Sequence, residues 1–389
     1  MQQKFRFMVV ILAVVALMMS AHSAAAKLMG TEVKIGYINP FTGWGSPLGK
    51  DNEIAVELAM EDINAAGGIG GLPLKIFKYD DASRQEQAIN LMRRVANSDK
   101  VLGVLGPYIS ALCEVAFPVA NRIGIVAVSS ASAAPGITER NRPWTFRNVL
   151  TSERLHEPAF KSWIERYNIK RLAMAYDSAD FLSKTEATTV FPGIFKKYGV
   201  EVVTQQTFQT GNLDFSPQGV AIKASNAEGV VMPALHYEAS NMARELRRIE
   251  VKVPLYVGIG SISPAYTRLG KAAVEGTMAA QSFWPDNPDP RVQSFVKRYK
   301  ERAAGKVPPH YSANIYDNLF IMKDAIEKNG VTNDPAKLAE DRAKIRDWWT
   351  NLKDYKGVSG MSSMQPNGDM AKEIYIMEVK NGEWTNLKK

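Results

Sequence analysis

VKIGYINPFTGWGSPLGKDNEIAVELAMEDINAAGGIGGLPLKIFKYDD, residues 33–81, decides the fold. Val33, Ile35 and Tyr37 begin a short run of β type that stops at the turn-forming pair Asn39-Pro40. Ala55, Leu58, Ala59 and Ile63 then recur at i, i+3, i+4 and i+8, one helix face, while Glu57, Glu61 and Asp62 lie elsewhere. Gly67-Gly68 ends the helix, because glycine alone enters the left-handed cap conformation without a Cβ penalty. Leu74, Ile76 and Phe77 resume a strand. Strand, helix and strand in this span make a β-α-β crossover, the unit of parallel sheets.

Working outward, the alternation continues. Strand-type runs fall at 101–105, 125–128, 171–176, 201–208, 229–233 and 255–258, with helical patterns at 85–98, 110–121, 158–167, 184–198, 217–225 and 239–249 between them. Such alternation predicts doubly wound α/β units rather than a sandwich or a helical bundle. The breaker cluster Asp286-Asn287-Pro288-Asp289-Pro290 precedes a helix over 291–304, and 311–328 is helical again. The pattern occurs once before about residue 148 and once after it. A chain of 389 residues also exceeds the roughly 250–300 that one core supports, so two domains are expected.

Residues 1–26 read as a secretory signal peptide. Lys4 and Arg6 form the basic n-region, 8–19 is an unbroken apolar run, and Ala24-Ala25-Ala26 supplies the small-residue cleavage site, placing cleavage near Ala26-Lys27. The apolar run is too short for the ~20 residues that cross a bilayer. The expected product is exported to the periplasm and does not span the membrane. The formal charge of +8 falls to +6 without Lys4 and Arg6. Pairs such as Arg93-Arg94, Lys196-Lys197 and Arg247-Arg248 are dispersed on helical segments, a pattern of solvated faces that gives no nucleic-acid site. Cys113 is the one cysteine, so no intramolecular disulfide forms, and its apolar setting makes it a buried small hydrophobe.

Motifs for chemistry are lacking. There is no Walker sequence and no G-x-S-x-G elbow; Gly68-Ile69-Gly70-Gly71 follows a helix and precedes a strand, the reverse of a dinucleotide loop. His156, His236 and His310 are widely spaced, without metal-ligand patterning. No catalytic residue, metal or cofactor is assigned.

The order of these pieces resembles the periplasmic solute-binding proteins of ABC transporters, of the branched-chain amino acid (Leu/Ile/Val) type. The resemblance rests on 62–69, DINAAGGI, on the strand closing at Asp80-Asp81, and on the loop 39–43, NPFTG; it continues through 103–138. It implies the type I periplasmic binding fold: two doubly wound α/β lobes joined by a three-strand hinge. Lobe 1 would hold 27–147 plus 280–356, and lobe 2 would hold 148–279 plus 357–389, with crossings near 147–150, 279–283 and 356–364. The protein would be a monomer that passes its ligand to membrane permease subunits. A periplasmic sensor would use the same cleft.

In doubly wound sheets ligands bind beyond the carboxyl ends of the strands, where helix N-termini receive anions. Two segments meet that description, 105–110 (LGPYIS) and 128–136 (VSSASAAPG). By resemblance, Ser110 binds a ligand carboxylate and Ala131, Ser132 and Ala133 form a second carboxylate-binding loop whose amides do most of the work. Ala133 stands where amino-acid binders usually have threonine. Gly260 stands where they have the acid that meets the ligand ammonium, so Glu238 or Asp286 would have to replace it, or the ligand lacks an α-amine. Trp44, Tyr108, Phe181, Tyr237 and Trp284 would supply an apolar wall, with Phe181 at an aromatic position of the family. His236 is a second-lobe donor or a loop histidine bonded to backbone; Arg147 is expected to be structural. These readings give a small hydrophobic or aromatic carboxylate as ligand, with a branched-chain or other neutral amino acid as the alternative.

Overall fold

The computed structural model describes residues 28–387, so the signal-peptide segment lies outside the described residues. The first lobe is built from β1 (Val33–Asn39), α1 (Ser46–Ala65), β2 (Leu74–Asp80), α2 (Gln85–Asn97), β3 (Gly103–Leu105), α3 (Ser110–Ile123), β4 (Val126–Ser129) and β5 (Thr145–Arg147). These strands form one parallel sheet in the order β2-β1-β3-β4-β5. The opening unit is the crossover expected from its sequence. Ala55, Leu58, Ala59 and Ile63 of α1 are all buried, and Gly67 and Gly68 follow the helix at φ +98° and +82°. A Cβ on Gly68 would lie 2.0 Å from the Leu72 carbonyl oxygen, so the turn into β2 needs glycine there.

The second lobe contains α4 (Ser152–Tyr167), β6 (Arg171–Asp177), α5 (Phe181–Thr185), α6 (Phe191–Lys197), β7 (Glu201–Phe208), α7 (Ser216–Ala224), β8 (Gly229–Met232), α8 (His236–Arg248), β9 (Leu255–Val257), α9 (Pro264–Gly270) and β10 (Met278–Gln281). Helices α5 and α6 are joined by a π-helical turn, Glu186–Val190. The chain then returns to the first lobe as α10 (Pro290–Arg302), α11 (His310–Lys328) and α12 (Leu338–Asn351). Three short strands, β11 (Tyr355–Gly357), β12 (Gly360–Met364) and β13 (Met370–Lys372), make a separate antiparallel sheet. Finally β14 (Tyr375–Lys380) and β15 (Glu383–Asn386) extend the second sheet, whose order is β15-β14-β10-β9-β8-β6-β7.

Each large sheet is covered on both faces. In the first lobe Val33, Ile35 and Tyr37 pack with α1, α10, α11 and α12, while Ile38 and Val104 pack with α2 and α3. In the second, Met174 and Val231 meet Phe160, Trp163 and Phe191, and Ala173 and Val230 meet Met242 and Leu246. Parallel strands buried on two faces explain the runs of apolar residue the sequence shows.

The lobes are joined by three crossings, after β5, after β10 and between β13 and β14. The third differs from the 356–364 read from the sequence. Val358, Met364 and Met370 belong to the first core, and buried Asp369 pairs with Arg147 of β5, so the chain leaves the first lobe only after Lys372. Residues 357–372 thus pack with the first lobe, not the second.

Candidate functional site

Strand order reverses direction between β1 and β3 in the first sheet and between β6 and β8 in the second. The crevices at the carboxyl ends of those strands are where such sheets take ligands. The loops that leave them carry Trp44 after β1, Tyr108 before α3, Phe181 at the start of α5, and His236 and Tyr237 at the start of α8. Six of the sequence-derived candidates, with Ser110 among them, therefore stand at the two switch points. The lobes touch here, since α5 packs against α3.

On the first lobe, Gly106 turns the chain at φ +104°, where a Cβ would fall 2.1 Å from the Ile38 carbonyl oxygen. The chain then enters α3 through extended Ile109, with Ser110 as the first helical residue. The opening amides of a helix have no carbonyl one turn back and attract anions. Ser110 is buried, and its Oγ accepts a hydrogen bond from Ser132 Oγ at 3.0 Å. Ser129 Oγ organises the second loop: it donates to the Tyr108 carbonyl (3.3 Å) and accepts from the amides of Ser132 (3.2 Å) and Ala131 (3.5 Å). Two of the amides expected to face a ligand thus lie against Ser129. Ala133 is fully buried, and its carbonyl accepts from the Ser152 amide across the first crossing, at 3.2 Å.

Arg147 fixes this loop from behind. Fully buried, it donates from Nη1 to the carbonyls of Ser132 (3.0 Å) and Ala134, and it meets Asp369 through Nε and Nη2. Asn314 Nδ2 adds a bond to the Ser130 carbonyl at 3.0 Å. The Tyr108 ring stands edge-on to Tyr311 at 5.3 Å, and the Tyr311 hydroxyl donates to Asp51 Oδ2 at 3.2 Å. Asp80 accepts from the amides of Phe41 and Thr42, which holds the first loop and leaves Trp44 59% exposed at its tip. Partial burial pushes the Asp80 carboxyl up, but hydrogen bonds from Thr42, Ala82 and Phe41 outweigh it and hold the pKa below the ordinary value.

On the second lobe, buried Asp177 accepts from the amides of Ala179, Asp180 and Thr210, and Asp180 caps α5 by accepting from the Ser183 amide at 2.8 Å. Phe181 and Tyr237 are exposed, at 43% and 39%. His236 is half-buried; burial, with Arg268 nearby, lowers its pKa and favours the neutral ring. Trp284 is half-buried in the second crossing, 6.0 Å from Tyr375 of the third. Neither acid named as a replacement for Gly260 is well placed. Glu238 Oε1 accepts from the Gly211 amide (2.9 Å), and Asp286 is exposed. A side chain at 260 would meet the Ala234 carbonyl oxygen and Leu235 at 3.1 Å, so that position packs against the neighbouring loop.

The carboxylate at this strand end comes from elsewhere. Glu186, 1% exposed, lies in the π turn, and a Cβ on Gly258 would come within 2.4 Å of its Oε2. Its Oε1 accepts from Ser152 Oγ at 2.9 Å and lies 3.3 Å from His156 Nε2, while His156 Nδ1 is 2.7 Å from the Tyr256 hydroxyl. Ser152 bonds to Glu186 rather than to His156, so no serine–histidine nucleophile pair forms here. Sequence reasoning passed over Glu186 because its spacing resembles any helical acid. The one signal was the glycine at 258, which leaves the space the carboxylate fills.

Comparison with known proteins matches this architecture. A relative from Pseudomonas aeruginosa, named an amino acid binding protein, is 28% identical over 381 residues, covering 96% of this chain and 95% of its own. The crystal structure of a leucine binding protein from Thermotoga maritima superposes with a TM-score of 0.78 at 26% identity, covering 91% of this chain and 97% of that one. A solute binding protein of an ABC transporter from R. palustris, solved with 4-hydroxybenzoate, shares the fold with a TM-score of 0.77 at 20% identity, covering 91% and 95%. The periplasmic binding protein family model matches residues 32–383, and on that match the chain belongs to the periplasmic binding proteins, with the type I fold of the solute receptors of ABC transporters.

Proposed function

We propose that this protein binds a small hydrophobic or aromatic carboxylate between its lobes and delivers it to the permease of an ABC importer. The observation that carries the reading is the Ser110–Ser132 hydroxyl pair at the N-terminus of α3, at the switch point of the first sheet. Helix dipole, opening amides and two hydroxyls together favour one carboxylate. Phe181 and Tyr237 stand at the facing switch point, exposed and available to cover an apolar body. Gly260 contributes no acid, which favours ligands without an α-amine. A neutral amino acid is the second reading, and the observation in its favour is buried Glu186 beside Gly258.

The test is a thermal-shift screen of protein unfolded and refolded to strip carried-over ligand. Benzoates, hydroxycinnamates and aliphatic acids are compared with leucine and valine. A ligand at 100 times its Kd adds about 2.7 kcal/mol to the native state, which reads as a shift of about a degree or more. Stabilisation by carboxylates supports the proposal, and stabilisation by leucine or valine alone selects the second reading. A panel in which no carboxylate shifts the melt contradicts both.

A further inference from the structure

Glu186 is a carboxylate buried without a full counter-charge. Among the described residues its ion-pair partner is His156, and Nε2 of that ring, although 3.3 Å away, makes no aligned hydrogen bond. Burial and the nearby Glu186 charge both raise the Tyr256 phenol far above its ordinary pKa, so it stays protonated. The Tyr256 hydroxyl lies 2.7 Å from His156 Nδ1, so that nitrogen is engaged away from Glu186. Among the described residues Ser152 Oγ is the one hydrogen-bond donor to Glu186, at Oε1, and none reaches Oε2; a buried carboxylate needs further donors to offset its desolvation.

The surroundings show where such a donor would come from. Gly258, the residue after β9, lies at the carboxyl edge of the second sheet, and its missing side chain lets Glu186 Oε2 reach that edge. The π turn that presents Glu186 is a rare geometry, concentrated at functional sites. Ser152 links the two halves of the cleft. Its amide donates to the Ala133 carbonyl in the carboxylate loop and its hydroxyl donates to Glu186. Ser152 thus connects Glu186 to the loop that carries Ser132.

We infer that Glu186 is a ligand-binding residue of the second lobe, accepting a hydrogen bond from an N–H or O–H group on the bound carboxylate. The natural ligand is then a hydroxy- or amino-substituted acid rather than a bare hydrocarbon acid. This rests on the proposal that the cleft holds a carboxylate.

Calorimetric titration of refolded protein with matched acids tests it: benzoate against 4-hydroxybenzoate, and 4-methylpentanoate against its 2-hydroxy and 2-amino (leucine) derivatives. In at least one set the donor-bearing acid binds about tenfold or more tighter than the bare one, as expected of a hydrogen bond to a charged acceptor. The set that discriminates tells hydroxyl from ammonium. Glu186→Gln removes most of that preference. So does Gly258→Ala, which displaces the carboxylate without changing it, and circular dichroism confirms that each variant is folded. Equal affinities within every set, or a preference that survives both substitutions, overturns the assignment of Glu186 alone. If no acid in the panel binds, the carboxylate proposal falls and takes this inference with it.

Discussion

At the scale of single residues, the site rests on few atoms. Ser110→Ala removes a hydroxyl aimed at the proposed carboxylate without emptying a core position. A hydrogen bond to a charged group contributes about 1.5–3 kcal/mol, so calorimetry should show affinity falling by about tenfold or more with little change in melting temperature. Asp81 makes a prediction about pH. Fully buried, with Oδ2 lacking a partner, its carboxyl is raised by desolvation from 3.8 to about 7. Between those values the native state binds more protons than the unfolded chain, so stability falls as pH rises from 4 to 7, by an amount on the order of 4 kcal/mol. Urea unfolding at pH 4.5 and 7 should show that loss, and Asp81→Asn should flatten it. The place of Ser110 at the start of α3 was legible in sequence, from a short strand followed by an apolar helix, while its proposed ligand role came from the family resemblance. Glu186 was not, since its part depends on a π turn and on a glycine 72 positions away.

At the scale of elements, the strongest patterns were read correctly where local periodicity and burial agree. The run begun at Val33 becomes β1, the four apolar positions of α1 are buried, and the strand-type runs through 255–258 correspond to β2–β4 and β6–β9. The C-terminal part was less readable. β11, β12 and β13 are three to five residues long, with sequences such as GMSSM and MAK that carry little β signal. Their place is set by long-range contacts: Asp317 accepts from the amides of Val358 and Ser359 at 2.8 Å, and Asp369 pairs with Arg147. Helix α12 was likewise unassigned, because its apolar residues are sparse among charges; buried Trp349 and Ile345 hold it to the first core. The element to perturb is α5, whose cap is Asp180. Asp180→Ala should cost about 1 kcal/mol and speed amide exchange across 181–197, because the loss of a cap frays the first turn.

At the scale of the whole molecule, two lobes and three crossings allow bending as one mode of motion. Lys372, the last residue of β13, ties the hinge together: its Nζ donates to Asn148 Oδ1 (2.8 Å), Asn314 Oδ1 (2.8 Å) and Ser359 Oγ (2.6 Å). A ligand held by residues of both lobes stabilises the closed arrangement by its contacts to each. Small-angle scattering should therefore give a smaller radius of gyration for refolded protein with a bound carboxylate than without one, and an unchanged radius would argue against closure. The central claim, that a carboxylate sits between the lobes at Ser110, is met most directly by a crystal structure of refolded protein with the tightest-binding acid of the panel. The account predicts the ligand carboxylate within hydrogen-bonding distance of Ser110 Oγ and Ser132 Oγ, with its body against second-lobe aromatic residues. A ligand bound outside the cleft, or bound within it with its carboxylate turned away from Ser110, would contradict the account.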